Sequence, residues 1–184
     1  MGKMRGTAVL APGYRGTERQ PILVALARRL DEIGIATKVV ALSTGARPSA
    51  GYRVELDALR AARDELRAEH PGPVALVGRS FGGRMCALLA AEEPPDALAI
   101  VGHPISPPSR PRPRDEAALR GIRCPTLVVQ GEGDELGPLA VLQRIAACNP
   151  LIDLVVIPGA GHDLGAHERE AVEHVARWLD TRLR

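Results

Sequence analysis

The residues Gly78-Arg79-Ser80-Phe81-Gly82 place a serine between two glycines, with one residue on each side. An apolar run, Val74 to Val77, precedes this pattern, and Arg84 to Glu92 follows it with apolar residues at helical spacing. The pattern therefore predicts a buried strand, a sharp turn and a helix. A serine on such a turn holds its hydroxyl clear of the backbone, where it can act as a nucleophile. The alternative is a glycine-rich turn that only packs a helix against a strand.

A nucleophilic serine needs a base to take its proton and an acid to orient that base. Candidates follow the last two predicted strands: Asp134 in Gly131-Glu132-Gly133-Asp134-Glu135, and His162 in Pro158-Gly159-Ala160-Gly161-His162-Asp163. Catalytic groups collect at the carboxyl ends of parallel strands. We therefore predict Ser80 as the nucleophile, Asp134 as the acid and His162 as the base.

Each of these assignments has an alternative. Asp134 is also placed to cap the following helix or to form a turn, and His162 is also placed as a surface turn residue. The order of the residues along the chain favours the catalytic interpretation. Other carboxylates in the same turns are Glu132, Glu135 and Asp163. His103 follows the fourth predicted strand and is an alternative base.

Acyl transfer to a serine also needs two N–H donors where negative charge develops on the substrate oxygen. Phe81, directly after the serine, offers one at the predicted N-terminus of a helix. The turn after the first strand, Ala11 to Gly16, offers the other, and we predict the N–H of Tyr14. The predicted substrate-binding residues beside these groups are Gly13, Arg79 and His103.

Short aliphatic runs alternate with longer amphipathic segments along the whole chain, which predicts an α/β fold: a six-stranded, mostly parallel sheet with helices on both faces. The predicted strands are Thr7 to Ala11, Ala36 to Leu42, Val74 to Gly78, Ala97 to Gly102, Thr126 to Gln130 and Leu151 to Ile157. Besides Arg84 to Glu92, the predicted helices are Gln20 to Glu32, Val54 to Glu69, Gly137 to Ala147 and His167 to Leu183.

One proline-rich stretch, His103 to Arg114, interrupts this alternation. It predicts a stiff loop with no helix before Asp115. The loop is either a solvated connector or one wall of a binding cleft above the strand ends. It is too short to form a cap domain over that cleft.

Length and composition predict one domain over residues 1–184, with 45% hydrophobic and 25% charged residues. Aromatic residues make up only 2%, so aliphatic side chains must form the core. The formal charge of +2 does not favour nucleic acid as a partner. We expect no membrane partner, because no apolar run reaches the length of a membrane span, and we expect a cytoplasmic protein. We also expect a monomer or a homodimer.

The cysteines, Cys86, Cys124 and Cys148, are odd in number and widely spaced in apolar surroundings. This pattern favours reduced core thiols over disulfides or a metal site. The sequence indicates no metal and no cofactor.

Three strings carry a resemblance to the α/β-hydrolase superfamily. They are Gly78-Arg79-Ser80-Phe81-Gly82-Gly83-Arg84, Gly102-His103-Pro104 with its proline-rich loop, and Cys124-Pro125-Thr126-Leu127-Val128-Val129-Gln130-Gly131-Glu132-Gly133-Asp134. The chain resembles most the compact, cap-less group of predicted serine hydrolases related to dienelactone hydrolases. The resemblance implies a three-layer α/β/α sandwich with strand order 2-1-3-4-5-6, and it implies the same triad.

The chain departs from the family pattern at two points. Pro12-Gly13 stands where the family usually carries a His-Gly pair, and Ser80 stands where dienelactone hydrolases proper carry a cysteine. The resemblance implies hydrolysis of a carboxylic ester or thioester, with a small-molecule acyl compound as substrate. The alternatives are a non-catalytic binding or scaffold module and an acyltransferase that uses the same triad.

Overall fold

Strands and helices alternate in a computed structural model that describes residues 5–42 and 47–183. The strands are β1 (Gly6–Ala11), β2 (Ile35–Val39), β3 (Val74–Arg79), β4 (Ala97–Val101), β5 (Thr126–Gly131) and β6 (Ile152–Ile157). The helices are α1 (Pro21–Glu32), α2 (Arg53–Glu69), α3 (Phe81–Glu92), α4 (Pro113–Arg120), α5 (Leu139–Cys148) and α6 (Glu168–Arg182). Single 3₁₀ turns, Ala50–Tyr52 and Gly165–His167, precede α2 and α6.

The strands form one sheet in the order β2-β1-β3-β4-β5-β6, and each neighbouring pair is parallel. This topology confirms the predicted fold class and strand order. The chain adds β2 on one side of β1 and then crosses over to add β3 on the other side of β1, so the strand order reverses between β1 and β3. In open parallel sheets, ligands bind beyond the carboxyl ends of the strands at this point. Ser80 directly follows β3 and therefore lies at this position.

Both faces of the sheet are covered, which explains why its strands read as continuous aliphatic runs. Side chains alternate along each strand: in β3, Leu76 faces one core cluster and Val77 faces the other. Helices α2 to α5 pack on the first face, and helices α1 and α6 pack on the second. Burying each large aliphatic side chain contributes roughly 1.5–3 kcal/mol to folding. No helix within residues 5–42 and 47–183 is long and apolar enough to cross a membrane.

The fourth helix corrects one prediction. It begins at Pro113, not after Arg114 as the proline-rich sequence suggested. Proline is well suited to the first position of a helix, because the missing N–H has no acceptor there and the fixed φ is already helical. Strand β2 also ends earlier than predicted, at Val39 instead of Leu42.

The cysteines follow the prediction only in part. Cys86 and Cys124 are buried free thiols, and burial raises the pKa of both. The prediction of a core position is wrong for Cys148, which is the last residue of α5 and is exposed. Cys148 stands at the C-terminal end of α5, beyond the buried residues Leu142 and Ile145.

The junction between β3 and α3 requires close approach of backbone to backbone. A Cβ at position 78 would lie 2.5 Å from the carbonyl carbon of Gly82 and from the Cα of Gly83. A Cβ at position 82 would lie 2.5 Å from the carbonyl oxygen of Pro12. Glycine at these positions therefore lets α3 start directly against β3 and against the turn that follows β1.

We predict that Gly78→Ala lowers the free energy of unfolding by about 3 kcal/mol, because the new methyl group meets backbone that has no freedom to rotate away. Urea unfolding followed by circular dichroism measures the change. Gly72→Ala is the matched control: a Cβ there has no heavy atom within 4 Å, and we expect a change within about 0.5 kcal/mol. Equal effects of the two substitutions would contradict the packing argument.

Candidate active site

Ser80 occupies a strained turn between β3 and α3. Its backbone angles are φ 49° and ψ −114°, a combination that L-residues rarely adopt. The neighbouring backbone holds this conformation: the Ser80 N–H donates to the Val101 carbonyl at 2.9 Å, and the Ser80 carbonyl accepts the Arg84 N–H at 3.0 Å. The turn lifts the hydroxyl away from the sheet, as the sequence pattern predicts.

The structure brings the three predicted catalytic residues together. Ser80 Oγ lies 2.9 Å from His162 Nε2, and His162 Nδ1 lies 2.9 Å from Asp134 Oδ2 and 3.0 Å from Oδ1. The Asp134 side chain is completely buried, whereas the His162 side chain is 17% exposed. With Nδ1–H donated to the carboxylate, Nε2 is left to accept the serine proton. This is the geometry that general-base activation of a serine requires.

Asp134 is held by three donors besides His162. Gln130 Nε2 donates to Oδ2 at 2.8 Å, and the N–H groups of Leu136 and Gly137 donate to Oδ1 at 2.9 and 3.0 Å. Gln130 Oε1 in turn accepts the His103 N–H at 2.7 Å. This role of Gln130 was not predicted, since no sequence pattern shows which groups a glutamine side chain near the end of a strand contacts. It ties the acid to the carboxyl end of β4.

Arg79 lies beneath the site instead of in a binding wall. Its guanidinium is buried and donates to the carbonyl oxygens of Val101, at 3.3 Å, and of His162. Burial lowers the pKa of Arg79, and Asp134 counteracts part of that effect. Among the described residues the cleft wall does not include Arg79, so the structure does not support its predicted contact with substrate. Arg79 instead fastens the histidine-bearing loop to the residues next to Ser80.

The turn after β1 is braced by a side chain that the sequence analysis missed. Gln20 Oε1 accepts the Gly13 N–H at 2.9 Å, and the Gly16 N–H closes the turn on the Gly13 carbonyl at 2.8 Å. Gln20 thus supplies a side-chain brace at Pro12-Gly13, where the family pattern has a histidine. Gly13 is buried and its N–H is engaged by Gln20, and its assignment to substrate binding stays a prediction.

The two predicted oxyanion donors lie on neighbouring segments. The Phe81 N–H is the first of α3, where N–H groups have no acceptor within the helix. The turn carrying Tyr14 lies against the same helix start, because Gly82 touches the carbonyls of Ala11 and Pro12. The rings of Tyr14 and Phe81 meet edge to face, with centroids 5.9 Å apart. The assignment of both N–H groups stays a prediction.

His103 is completely buried, and neither ring nitrogen has a hydrogen-bond partner in the described part of the chain. Burial, with smaller contributions from the charges of Arg84 and Arg112, lowers its pKa to about 3, and Asp134 opposes the shift. His103 is therefore neutral near pH 7 and lies under the cleft floor. As with Arg79, the structure does not support the predicted substrate contact, and it places His162, not His103, against Ser80.

A cleft of about 800 Å³ opens above Ser80. One side of it is formed by Pro104, Arg110 and Arg112, so the proline-rich loop does form a wall. The remaining lining residues are Tyr14, Arg47, Pro48, Ser49, Gly51, Tyr52, Phe81, Arg84 and Leu136. Tyr14 and Phe81, which were predicted as oxyanion donors, are part of this lining, whereas Tyr52, Arg47 and Arg84 were not predicted.

Comparison with known proteins agrees with this fold. The chain belongs to the α/β-hydrolase family, because residues 39–182 match the family described as "Alpha/beta hydrolase domain". No curated protein sequence matches the chain. The match to the family over residues 39–182 confirms the predicted resemblance to α/β-hydrolases.

Three solved structures illustrate the likeness. An alpha-beta serine hydrolase homologue from Coxiella burnetii has 24% identity and a TM-score of 0.81, covering 96% of this chain and 86% of that chain. A serine hydrolase without a lid from Xanthomonas campestris has 25% identity and a TM-score of 0.76, covering 96% and 84%. A dienelactone hydrolase from Anabaena variabilis has 24% identity and a TM-score of 0.73, covering 98% and 88%.

The buried His103 predicts a specific pH dependence of stability. The unfolded chain binds a proton at this residue below about pH 6.5, whereas the folded chain resists protonation down to about pH 3. The stability that neutral His103 provides is therefore fully present above pH 6.5 and is lost as the pH falls toward 3. Between pH 8 and pH 5, the wild type should lose about 2 kcal/mol more than His103→Leu, measured by urea unfolding. Identical pH profiles of the two proteins would contradict this account.

Proposed function

We propose that the protein is a serine hydrolase that cleaves a carboxylic ester or a thioester through an acyl-enzyme on Ser80. The observation that carries the proposal is the continuous chain of contacts from Ser80 Oγ to His162 Nε2, at 2.9 Å, and from His162 Nδ1 to Asp134 Oδ2, at 2.9 Å. Membership of the α/β-hydrolase family supports it. The named serine hydrolase relatives support it as well.

Acylation begins when Ser80 Oγ attacks the carbonyl carbon and His162 Nε2 takes the hydroxyl proton. The carbonyl electron pair moves to oxygen, and the N–H groups of Phe81 and Tyr14 bind the resulting oxyanion. When the tetrahedral intermediate collapses, the bond to the alcohol or thiol breaks. The leaving group takes the proton from His162, and the acyl group stays on Ser80.

Deacylation repeats these steps with water as the nucleophile. His162 takes a proton from water as the water oxygen attacks the acyl carbon, and Ser80 Oγ leaves and recovers that proton. The products are the free acid and the regenerated serine. Asp134 keeps the imidazole in the required tautomer and stabilises its positive charge in both half-reactions. Its fixed bonds to Gln130, Leu136 and Gly137 prevent the carboxylate from turning away.

The cleft suits a substrate whose acyl group is small or extends out of the cleft into solvent. Tyr14, Tyr52 and Phe81 provide aromatic surface beside Ser80, and Tyr52 and Phe81 meet edge to face with centroids 6.2 Å apart. The proline-rich loop contributes Pro104 to the lining of the same cleft. This arrangement leaves the cleft open toward solvent above the serine, which also allows water to reach the acyl-enzyme.

A fluorophosphonate probe tests the assignment of Ser80. We expect the wild type to be labelled, and we expect Ser80→Ala to lose both labelling and hydrolysis of p-nitrophenyl butanoate. The loss of kcat should be about 10⁴-fold or more, since no other group can replace the nucleophile. Ser109→Ala, which removes an exposed hydroxyl on the proline-rich loop, is the matched control and should retain labelling.

The outcome separates the alternatives. A folded wild-type protein that is neither labelled nor active on p-nitrophenyl esters and acyl-CoA thioesters would contradict the proposal and favour a binding or scaffold module. Labelling of Ser80 together with transfer of the acyl group to an added alcohol, in preference to water, would indicate an acyltransferase. Product analysis by mass spectrometry distinguishes the acid from the new ester.

A further inference from the structure

The wall of the cleft above Ser80 carries an uneven distribution of charge. Four arginines line it, Arg47, Arg84, Arg110 and Arg112, and its described lining includes no aspartate or glutamate. Ordinary surfaces mix both signs of charge. An excess of guanidinium groups around a concave site raises the local concentration of anions.

One of the four guanidinium groups is already neutralised by its surroundings. Arg84 Nε donates to Asp115 Oδ2 at 2.8 Å, and both side chains are buried. Arg84 Nη2 donates to the Tyr52 hydroxyl at 3.1 Å, with the guanidinium 5.1 Å from the ring centroid. A second buried carboxylate behind the wall, Glu55, holds Ser49 through its N–H at 2.9 Å. These contacts fix the wall and leave the other three arginines to face the cleft.

Arg112 is the most constrained of the remaining three. Its Nη1 donates to the Pro104 carbonyl, and its backbone N–H donates to Ser106 Oγ at 3.0 Å, so the loop fixes both ends of the residue. Burial lowers the pKa of Arg112, the charges of Arg84 and Arg110 lower it further, and the Asp115 carboxylate opposes this shift. Within residues 5–42 and 47–183, no carboxylate forms an ion pair with Arg112. A half-buried cation in this setting gains stability when an anion enters the cleft.

Arg110 and Arg47 extend the same positive surface to the rim. Both are exposed, and in the described part of the chain neither forms an ion pair with a carboxylate. Arg110 precedes Arg112 by two residues on the proline-rich loop, whereas Arg47 lies on the segment that leads to α2. The positive charge therefore comes from two separate segments that border one cleft.

We propose that the cleft selects esters that carry a carboxylate or phosphonate-like oxyanion, which Arg112 and Arg110 bind while the ester carbonyl lies at Ser80. The inference rests on the proposed function, whose substrate class it narrows. A guanidinium presents a planar fork of N–H donors that matches the two oxygens of a carboxylate or a phosphate-type group. The aromatic rings beside Ser80 then contact the uncharged part of the substrate.

Matched substrates test this selectivity. Mono-p-nitrophenyl glutarate and p-nitrophenyl 4-phosphonobutanoate carry the charge on the acyl side, and methyl p-nitrophenyl glutarate is the neutral partner of similar length. A second pair, 4-carboxyphenyl butanoate and 4-(methoxycarbonyl)phenyl butanoate, places the charge on the leaving group. Each rate is divided by the rate with hydroxide alone. We expect kcat/KM to favour the anionic member of at least one pair by about 10- to 100-fold.

Substitutions then assign the preference to the arginines. Arg112→Gln and Arg110→Gln should each lower the ratio of anionic to neutral kcat/KM by about tenfold, and the double substitution should remove it. Arg123→Gln, which deletes an exposed positive charge outside the cleft wall, should keep the wild-type ratio. Raising the salt concentration to 0.5 M should reduce the ratio in the wild type, because exposed charges are screened.

A binding measurement separates this inference from the proposed function. Calorimetry with Ser80→Ala compares glutaric acid monoanilide, an amide that mimics the charged ester, with its methyl ester. If the acid binds more tightly than its methyl ester, and if Arg112→Gln removes this difference, the result would support a binding site for the substrate's anionic group at the arginines. This holds even if no ester is hydrolysed. Equal binding of acid and methyl ester, or a wild-type enzyme that hydrolyses neutral esters with no anionic preference in either pair, would overturn the inference while leaving the hydrolase assignment intact.

Discussion

The conformation of Ser80 is the constraint on which the site depends. Its left-handed φ of 49° costs on the order of 1–3 kcal/mol and persists only because the surroundings allow no other path for the chain. Glycines at 78 and 82 let strand β3, helix α3 and the turn after β1 meet at backbone distance. The Ser80 N–H is held by Val101 on the neighbouring strand. The sheet and its covering helices thus hold one part-buried hydroxyl at the point where the strand order reverses.

The residues around the Ser80 hydroxyl are held by side chains that lie at or near the ends of the neighbouring strands. Arg79 reaches from the end of β3 to the carbonyl of His162, and Gln130 links Asp134 on the β5 side to His103 on the β4 side. Gln20 braces the turn that carries the predicted oxyanion donor Tyr14. Because these braces are side chains of rigid elements, base and acid keep their positions with little loss of entropy when substrate binds.

The fold could be predicted from the sequence because the spacing of apolar residues along the chain indicates the order of strands and helices, and this order does not depend on the details of tertiary packing. A run of aliphatic residues indicates each strand. The Gly-x-Ser-x-Gly pattern identifies Ser80 as the candidate nucleophile, because it predicts a sharp turn between a strand and a helix. The supporting contacts were not predictable: Arg79 and His162 are far apart in sequence, and no pattern shows which groups the side chains of Gln20 and Gln130 contact. Arg79 and His103 were predicted to bind substrate, His103 because it follows a strand end. The structure buries both, since residues next to a strand end point either into the cleft or beneath it, and spacing alone does not distinguish the two.

The proposed mechanism requires that the Ser80 hydroxyl forms a covalent acyl intermediate. Rapid-quench mass spectrometry of the wild type mixed with p-nitrophenyl acetate detects this intermediate, and peptide mapping locates the added group. We expect one acetyl group on Ser80 that forms before steady-state turnover and disappears as hydrolysis is completed. Turnover with no acetyl on Ser80, or acetylation confined to another nucleophile such as the exposed Cys148, would contradict it.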